Sequence, residues 1–196
     1  RLQTEDARRV FIARPAREEQ PKIVFVNRHN GDNALGDIDS TVYFGGPDGY
    51  SPERRKDIPS FRAVEAICCD VNDDGYVDIV LANSFYNTPD RKPGSYVLLN
   101  GPDGLPDEPS MTLPVERVQG AACADLNRDG YLDVVFAIIG SPDLLVFYGS
   151  AKGFDTENPQ RIHLELDGVV YDEPRWVCLA DLNNNGWLDL FVPNVG

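Results

Sequence analysis

Histidine, methionine and long apolar runs are scarce in this sequence. It contains 2 His and 1 Met in 196 residues, and no apolar stretch approaches the roughly 20 residues of a membrane-spanning helix. His29 and His163 lie far apart and there is no Cys-x-x-Cys pair, so a zinc site is not indicated. The metalloprotease motif His-Glu-x-x-His and the hydrolase motif Gly-x-Ser-x-Gly are also absent from the sequence.

Basic residues are few as well. The chain has 18 Lys and Arg against 32 Asp and Glu, giving a formal net charge of −14. A charge of this sign opposes binding to nucleic acid or to an anionic membrane surface. The first residue is Arg1 and not Met, so we expect a processed product or a fragment of a longer chain.

What the sequence does contain is one nine-residue stretch in three copies. The copies begin at Asp70, Asp125 and Asp181, and they recur every 55 or 56 residues. They read DVNDDGYVD (loop 1, residues 70–78), DLNRDGYLD (loop 2, residues 125–133) and DLNNNGWLD (loop 3, residues 181–189). Self-similarity at such a period indicates a repeat architecture.

The spacing within each copy suits a hard divalent cation. Oxygen-bearing side chains occupy positions 1, 3, 5 and 9, and Gly at position 6 allows the turn that directs the carbonyl of position 7 inward. The sequence therefore predicts three Ca²⁺ sites, one per loop. The predicted ligands are Asp70, Asn72, Asp74, the Tyr76 carbonyl and Asp78; Asp125, Asn127, Asp129, the Tyr131 carbonyl and Asp133; and Asp181, Asn183, Asn185, the Trp187 carbonyl and Asp189.

These loops have two other interpretations. An EF-hand needs a Glu at position 12 and flanking helices, but position 12 is Leu81, Phe136 or Val192, within short apolar runs typical of strands. A metal-free Asx turn explains one copy well. It explains three copies in register, each followed by an apolar strand, less well.

The strand, DxNxDGxxD loop and second strand together resemble the FG-GAP (VCBS-type) repeat, best known from the β-propeller of integrin α chains. The resemblance covers nearly the whole chain. It implies a calcium-binding propeller made of repeated blades.

Each repeat also contains two further strands, the third running into a Gly-bearing turn, as at residues 41–50, 96–105 and 145–154. Four strands in about 55 residues predict an all-β propeller of four-stranded blades. We expect an N-terminal segment, disordered or extended, at residues 1–9, and a propeller part at 10–196. Its blades are 10–60, 61–116 and 117–170, with a partial blade at 171–196, so about three and a half blades form an incomplete ring.

Residues 14–22 occupy the loop position of the first blade, but they include no Asp, and Arg14 and Lys22 stand at positions 1 and 9. We expect no metal there. The four cysteines are Cys68, Cys69, Cys123 and Cys178, and Cys68 and Cys123 share one repeat position. They are interpreted as small apolar residues of crowded inner strands. A disulfide remains open, with three possible pairings of the four.

The sequence allows two hypotheses about function, one non-catalytic and one enzymatic. The first is a non-catalytic, extracellular or cell-surface protein that serves adhesion, surface display or structural assembly, with a protein or glycan ligand at loops 28–39 and 83–94. Its open edges would be completed by the rest of the same propeller or by neighbouring subunits. The alternative is the propeller part of a secreted carbohydrate-active enzyme, a polysaccharide lyase or hydrolase.

Overall fold

The computed structural model describes residues 2–4, 7–14, 20–28, 38–84 and 93–195. This part of the chain contains β-strands and turns and no helix, which confirms the all-β prediction. None of its elements is a helix that could cross a membrane. The strands are β1 (Ala7–Ala13), β2 (Lys22–Asn27), β3 (Ser40–Phe44), β4 (Arg55–Ile58), β5 (Glu65–Cys69), β6 (Asp78–Ala82), β7 (Ser95–Leu98), β8 (Met111–Leu113), β9 (Val118–Ala124), β10 (Asp133–Ile138), β11 (Asp143–Phe147), β12 (Gln160–His163), β13 (Glu165–Leu166), β14 (Val169–Val170), β15 (Cys178–Ala180) and β16 (Asp189–Phe191).

The strands form three four-stranded antiparallel sheets, β1 to β4, β5 to β8 and β9 to β12. Within each of these sheets, every strand pairs with the next one along the chain, so the sheet is an up-and-down meander, the form of a propeller blade. β15 and β16 pair as the first two strands of a further unit. The prediction of four-stranded blades in about three and a half copies is confirmed.

Apolar layers between the sheets explain why the second strands are apolar on both faces. In β6, Val80 lies in the layer shared with the third sheet, whereas Ile79 and Leu81 lie in the layer shared with the first. The same alternation in β10 places Val134 and Val135 on opposite sides of their sheet. Because successive side chains of a strand point to opposite faces, an uninterrupted apolar run fills two layers at once.

The first strands of successive sheets, β1, β5, β9 and β15, lie side by side. An ion pair between Arg9 and Glu65 joins the first two of these strands. Gly120 of β9 permits a close approach to the following unit, because a Cβ at this position would lie 2.7 Å from the Cα of Trp176. These contacts hold the sheets next to one another through their first strands. Three of these strands, β5, β9 and β15, lead directly into loops 1, 2 and 3.

Three features differ from the predicted boundaries or lie outside the described part. β1 begins at Ala7, inside the N-terminal segment predicted at residues 1–9, because it follows β2 to its end at Asn27. A small hairpin, β13 and β14, was not predicted. Three predicted loops lie partly outside the described residues. The first-blade loop at 14–22 includes the undescribed residues 15–19, and the predicted ligand-contact loops 28–39 and 83–94 include 29–37 and 85–92.

Candidate metal sites in the three loops

All fifteen predicted ligands fall in the same structural setting. Position 1 directly follows the first strand of its sheet, and position 9 is the first residue of the second strand: β6, β10 or β16. The residue before position 1 pairs with position 9 in each case, as Cys69 does with Asp78. Each loop therefore closes a hairpin of identical register.

The backbone adopts one conformation in the three copies. Position 4 has a positive φ each time, 58° at Asp73, 64° at Arg128 and 57° at Asn184. The glycine at position 6 also has a positive φ, 90°, 95° and 84° in loops 1, 2 and 3. A left-handed conformation at position 6 costs little for Gly and roughly 1–2 kcal/mol for other residues, which explains the residue type there.

Side-chain oxygens hold this conformation by accepting backbone hydrogen bonds. The carboxylate of position 1 accepts from the N–H groups of positions 5 and 6, with donor–acceptor distances of 2.7–3.1 Å. Position 3 also accepts from the N–H of position 5, and position 5 accepts from the N–H of position 7. The oxygens at positions 1, 3 and 5 are thereby kept on one side of a tight turn.

The aspartate of position 9 is the anchor of each loop. Its Oδ2 accepts from the N–H of position 2 at 2.9 Å in all three copies. In loops 1 and 2 its Oδ1 accepts from the turn after the third strand, from Asn100 N at 2.8 Å or Gly149 N at 2.9 Å. Asp78 and Asp133 are completely buried. The sequence indicated these aspartates but not their backbone partners, because every residue type except Pro has a backbone N–H group.

The electrostatics of the first two loops favour a cation. Burial raises the pKa of Asp78 to about 6 and also raises that of Asp133. The carboxylates at positions 1 and 5 of each of these loops add to the rise in pKa, whereas the backbone hydrogen bonds to position 9 oppose it. Among the described residues, no ion pair joins a basic side chain to a loop carboxylate.

The donor set fits a hard cation in kind, since it consists only of carboxylate, amide and carbonyl oxygens. The side chains are not gathered into a finished cage. In the described ranges, no three acidic, cysteine or histidine side chains converge on one point as metal ligands would. Part of the reason is local pairing, because Asn72 Nδ2 donates to Asp74 Oδ2 at 3.0 Å and Asn127 Nδ2 donates to Asp129 Oδ2 at 2.9 Å.

Loops 2 and 3 also contact each other. The guanidinium of Arg128 lies 3.5 Å from the centre of the Trp187 ring and donates a hydrogen bond to the carbonyl of Gly186. Cation–π contacts of this kind contribute roughly 0.5–1 kcal/mol at exposed sites. The sequence did not reveal this contact, because it joins residues 58 and 59 positions apart.

The sheets and loops together define a propeller-type repeat protein in which each unit carries one Asp-rich hairpin loop. A family model described as FG-GAP-like repeat matches residues 70–136 and again residues 125–192. These matches span more than half of the chain, and the chain belongs to the FG-GAP-like repeat family. No curated protein matched its sequence.

Proposed function

We propose that this chain is a non-catalytic, extracellular or cell-surface propeller whose loops 1, 2 and 3 each bind one Ca²⁺. The observation that carries the proposal is the repetition of one loop conformation in three copies, with oxygen-bearing side chains at the same positions. A metal-free turn needs the Asx hydrogen bonds. It does not need a further aspartate at position 9, which is buried in loops 1 and 2.

Calcium would offset charge that the protein leaves unbalanced. Loops 1 and 2 each bring three proposed ligand carboxylates to one turn, at positions 1, 5 and 9, and the one at position 9 is buried. Bringing like charges together in a partly desolvated site costs free energy, and a divalent cation removes that cost. Because calcium would bind the folded hairpin and not the unfolded chain, its binding would also stabilise the fold.

The residues that would hold the ion are those at positions 1, 3, 5 and 9, with the carbonyl at position 7. In this proposal calcium has a structural role and supplies no chemistry to a substrate. The propeller then serves as a rigid scaffold for adhesion, surface display or assembly, and the variable loops around it contact a protein or glycan.

Calorimetric titration of the calcium-free protein tests the metal sites. We expect three Ca²⁺ per chain, much weaker binding of Mg²⁺ because Mg²⁺ demands near-ideal octahedral geometry and gives up its waters reluctantly, and a lower melting temperature in EDTA. Asp129→Asn should weaken one site, whereas Asp103→Asn, an exposed turn aspartate outside the loops, should change none. Absence of heat with an unchanged melting curve in EDTA would show that the loops are plain turns.

A glycan panel incubated with the calcium-loaded protein tests the non-catalytic role. Retention of a glycan with no cleavage product agrees with a binding module. Release of shortened or unsaturated sugar products would instead identify the propeller as part of a lyase or hydrolase.

A further inference from the structure

Two thiols from neighbouring sheets meet beside loops 1 and 2. Cys69 is the last residue of β5, Cys123 lies near the end of β9, and their sulfur atoms are 3.1 Å apart. The two residues are 54 positions apart in the chain, and both are free thiols that are partly exposed. Neither cysteine is among the predicted calcium ligands.

Strand alternation explains why these two cysteines meet and Cys68 does not join them. Cys69 and Cys123 both pack on the apolar layer between the second and third sheets. Cys68, one residue earlier in β5, points to the opposite face and packs on the layer between the first and second sheets. Cys178 is exposed on β15. The four cysteines therefore provide one well-defined pair.

We propose that Cys69 and Cys123 are a disulfide-forming site that cross-links two adjacent blades. A disulfide bond is about 2.05 Å long, so the sulfurs need to approach by only about 1 Å, a movement within reach of small side-chain rotations. β5 and β9 already lie side by side as inner strands. The backbone therefore has no large distance to close.

The reaction requires an oxidant, which we take to be a small-molecule disulfide such as oxidised glutathione. One protein sulfur attacks this disulfide, forming a mixed disulfide and releasing one reduced thiol. The second protein sulfur then attacks the mixed disulfide, forming the Cys69–Cys123 bond and releasing the second reduced thiol. The two protein thiols are oxidised by two electrons in total, and their two protons end on the two released thiols.

The bond would join the ends of the two inner strands from which loops 1 and 2 emerge. It would enclose a 54-residue segment that contains β6, β7 and β8. Closing a segment of this length restricts the unfolded chain, and we expect the melting temperature to rise by about 5–10 °C on oxidation.

The test uses the whole chain, incubated in EDTA with a mixture of oxidised and reduced glutathione and then alkylated after unfolding. We expect intact-mass measurement to show two alkylated cysteines where the reduced protein shows four. Peptide mapping should recover a peptide pair that links Cys69 to Cys123. The wild-type mapping does not depend on the folding of any variant.

Variants separate this pair from the other cysteines. Cys68→Ala and Cys178→Ser are matched controls that should retain the link and the rise in melting temperature, whereas Cys123→Ser should lose both. A wild-type protein that keeps four reactive thiols would overturn the proposal. So would a link that involves Cys68 or Cys178, or one that joins two chains.

Discussion

Substitution of Gly149 is the most direct test of how loop 2 is held, because atoms of loop 2 pack closely against this residue. A Cβ added at this buried position would lie 2.3 Å from the carbonyl oxygen of Leu132 and 3.3 Å from Cβ of Tyr131. The carbonyl belongs to position 8 of loop 2 and cannot swing aside as the end of a long side chain could. We expect Gly149→Ala to push the turn and the loop apart.

The expected magnitude combines two effects. Forcing an extra methyl group into a filled site costs roughly 1–3 kcal/mol. Separating Gly149 N from Asp133 Oδ1, now 2.9 Å apart, weakens a hydrogen bond to a buried carboxylate, which costs roughly 1–3 kcal/mol. Replacing Gly by Ala lowers the entropy of the unfolded chain and returns only about 0.4–1 kcal/mol. We expect a net loss of about 3 kcal/mol.

Urea unfolding followed by circular dichroism and by tryptophan fluorescence measures this loss, as does a melting temperature lower by about 6–12 °C. Gly101→Ala is the matched control in a turn of the second sheet. An added Cβ there has no neighbour within 4 Å, and its φ is not in the left-handed region. Its free energy of unfolding should stay unchanged or rise by up to about 1 kcal/mol.

The same variant should also weaken calcium binding at loop 2, because the anchor of position 9 is displaced. If Gly149→Ala unfolds at the same urea concentration as wild type, the close packing of turn against loop does not contribute to stability. The hydrogen bond from Gly149 N to Asp133 would then not anchor loop 2.

Three further predictions concern the contacts between repeats. Gly120→Ala should lower the free energy of unfolding by about 1–3 kcal/mol, since its Cβ would lie 3.0 Å from the carbonyl of Arg175; a neutral result in urea unfolding would contradict the close approach. Arg128→Ala should cost about 0.5–1 kcal/mol by removing the contact with Trp187, and Arg128→Lys should recover only part of it; equal stabilities of all three proteins would rule the contact out as a contributor. Loop 3 should bind Ca²⁺ most weakly, because Asn185 stands where loops 1 and 2 have Asp; if calorimetry with an Asp189→Ala variant shows that loop 3 fills first, the ranking is wrong.

The parts of the fold that sequence patterns predicted are those with local causes. The Asp, Asn and Gly spacing of the loops acts within nine residues, and the apolar runs after it identify the second strands directly. The hairpin of β13 and β14 was missed although Asp167 and Gly168 form its turn, with φ values of 52° and 77°. Strands of two residues are too short to show an alternating pattern, so this turn had no flanking evidence.

Contacts between repeats were harder to predict, for a geometric reason. The sequence grouped Cys68 with Cys123 because they share a repeat position, but the thiol in contact with Cys123 is that of Cys69. Equivalent residues of adjacent blades point to the same face of their own sheets, so they do not face each other. The residue that faces Cys123 must therefore lie on the opposite face of the neighbouring strand, one position away from the equivalent residue.

The apolar layers have a consequence for how this protein can be divided. Each layer draws its side chains from two sheets, as Leu81 of the second sheet and Val24 of the first share one layer. A cut placed between two sheets therefore splits a layer and leaves both fragments with a bare apolar surface. For circular permutation, new termini are better placed in an exposed turn inside a sheet, such as that at Asp103 and Gly104, because one chain then still supplies every strand to both neighbouring layers.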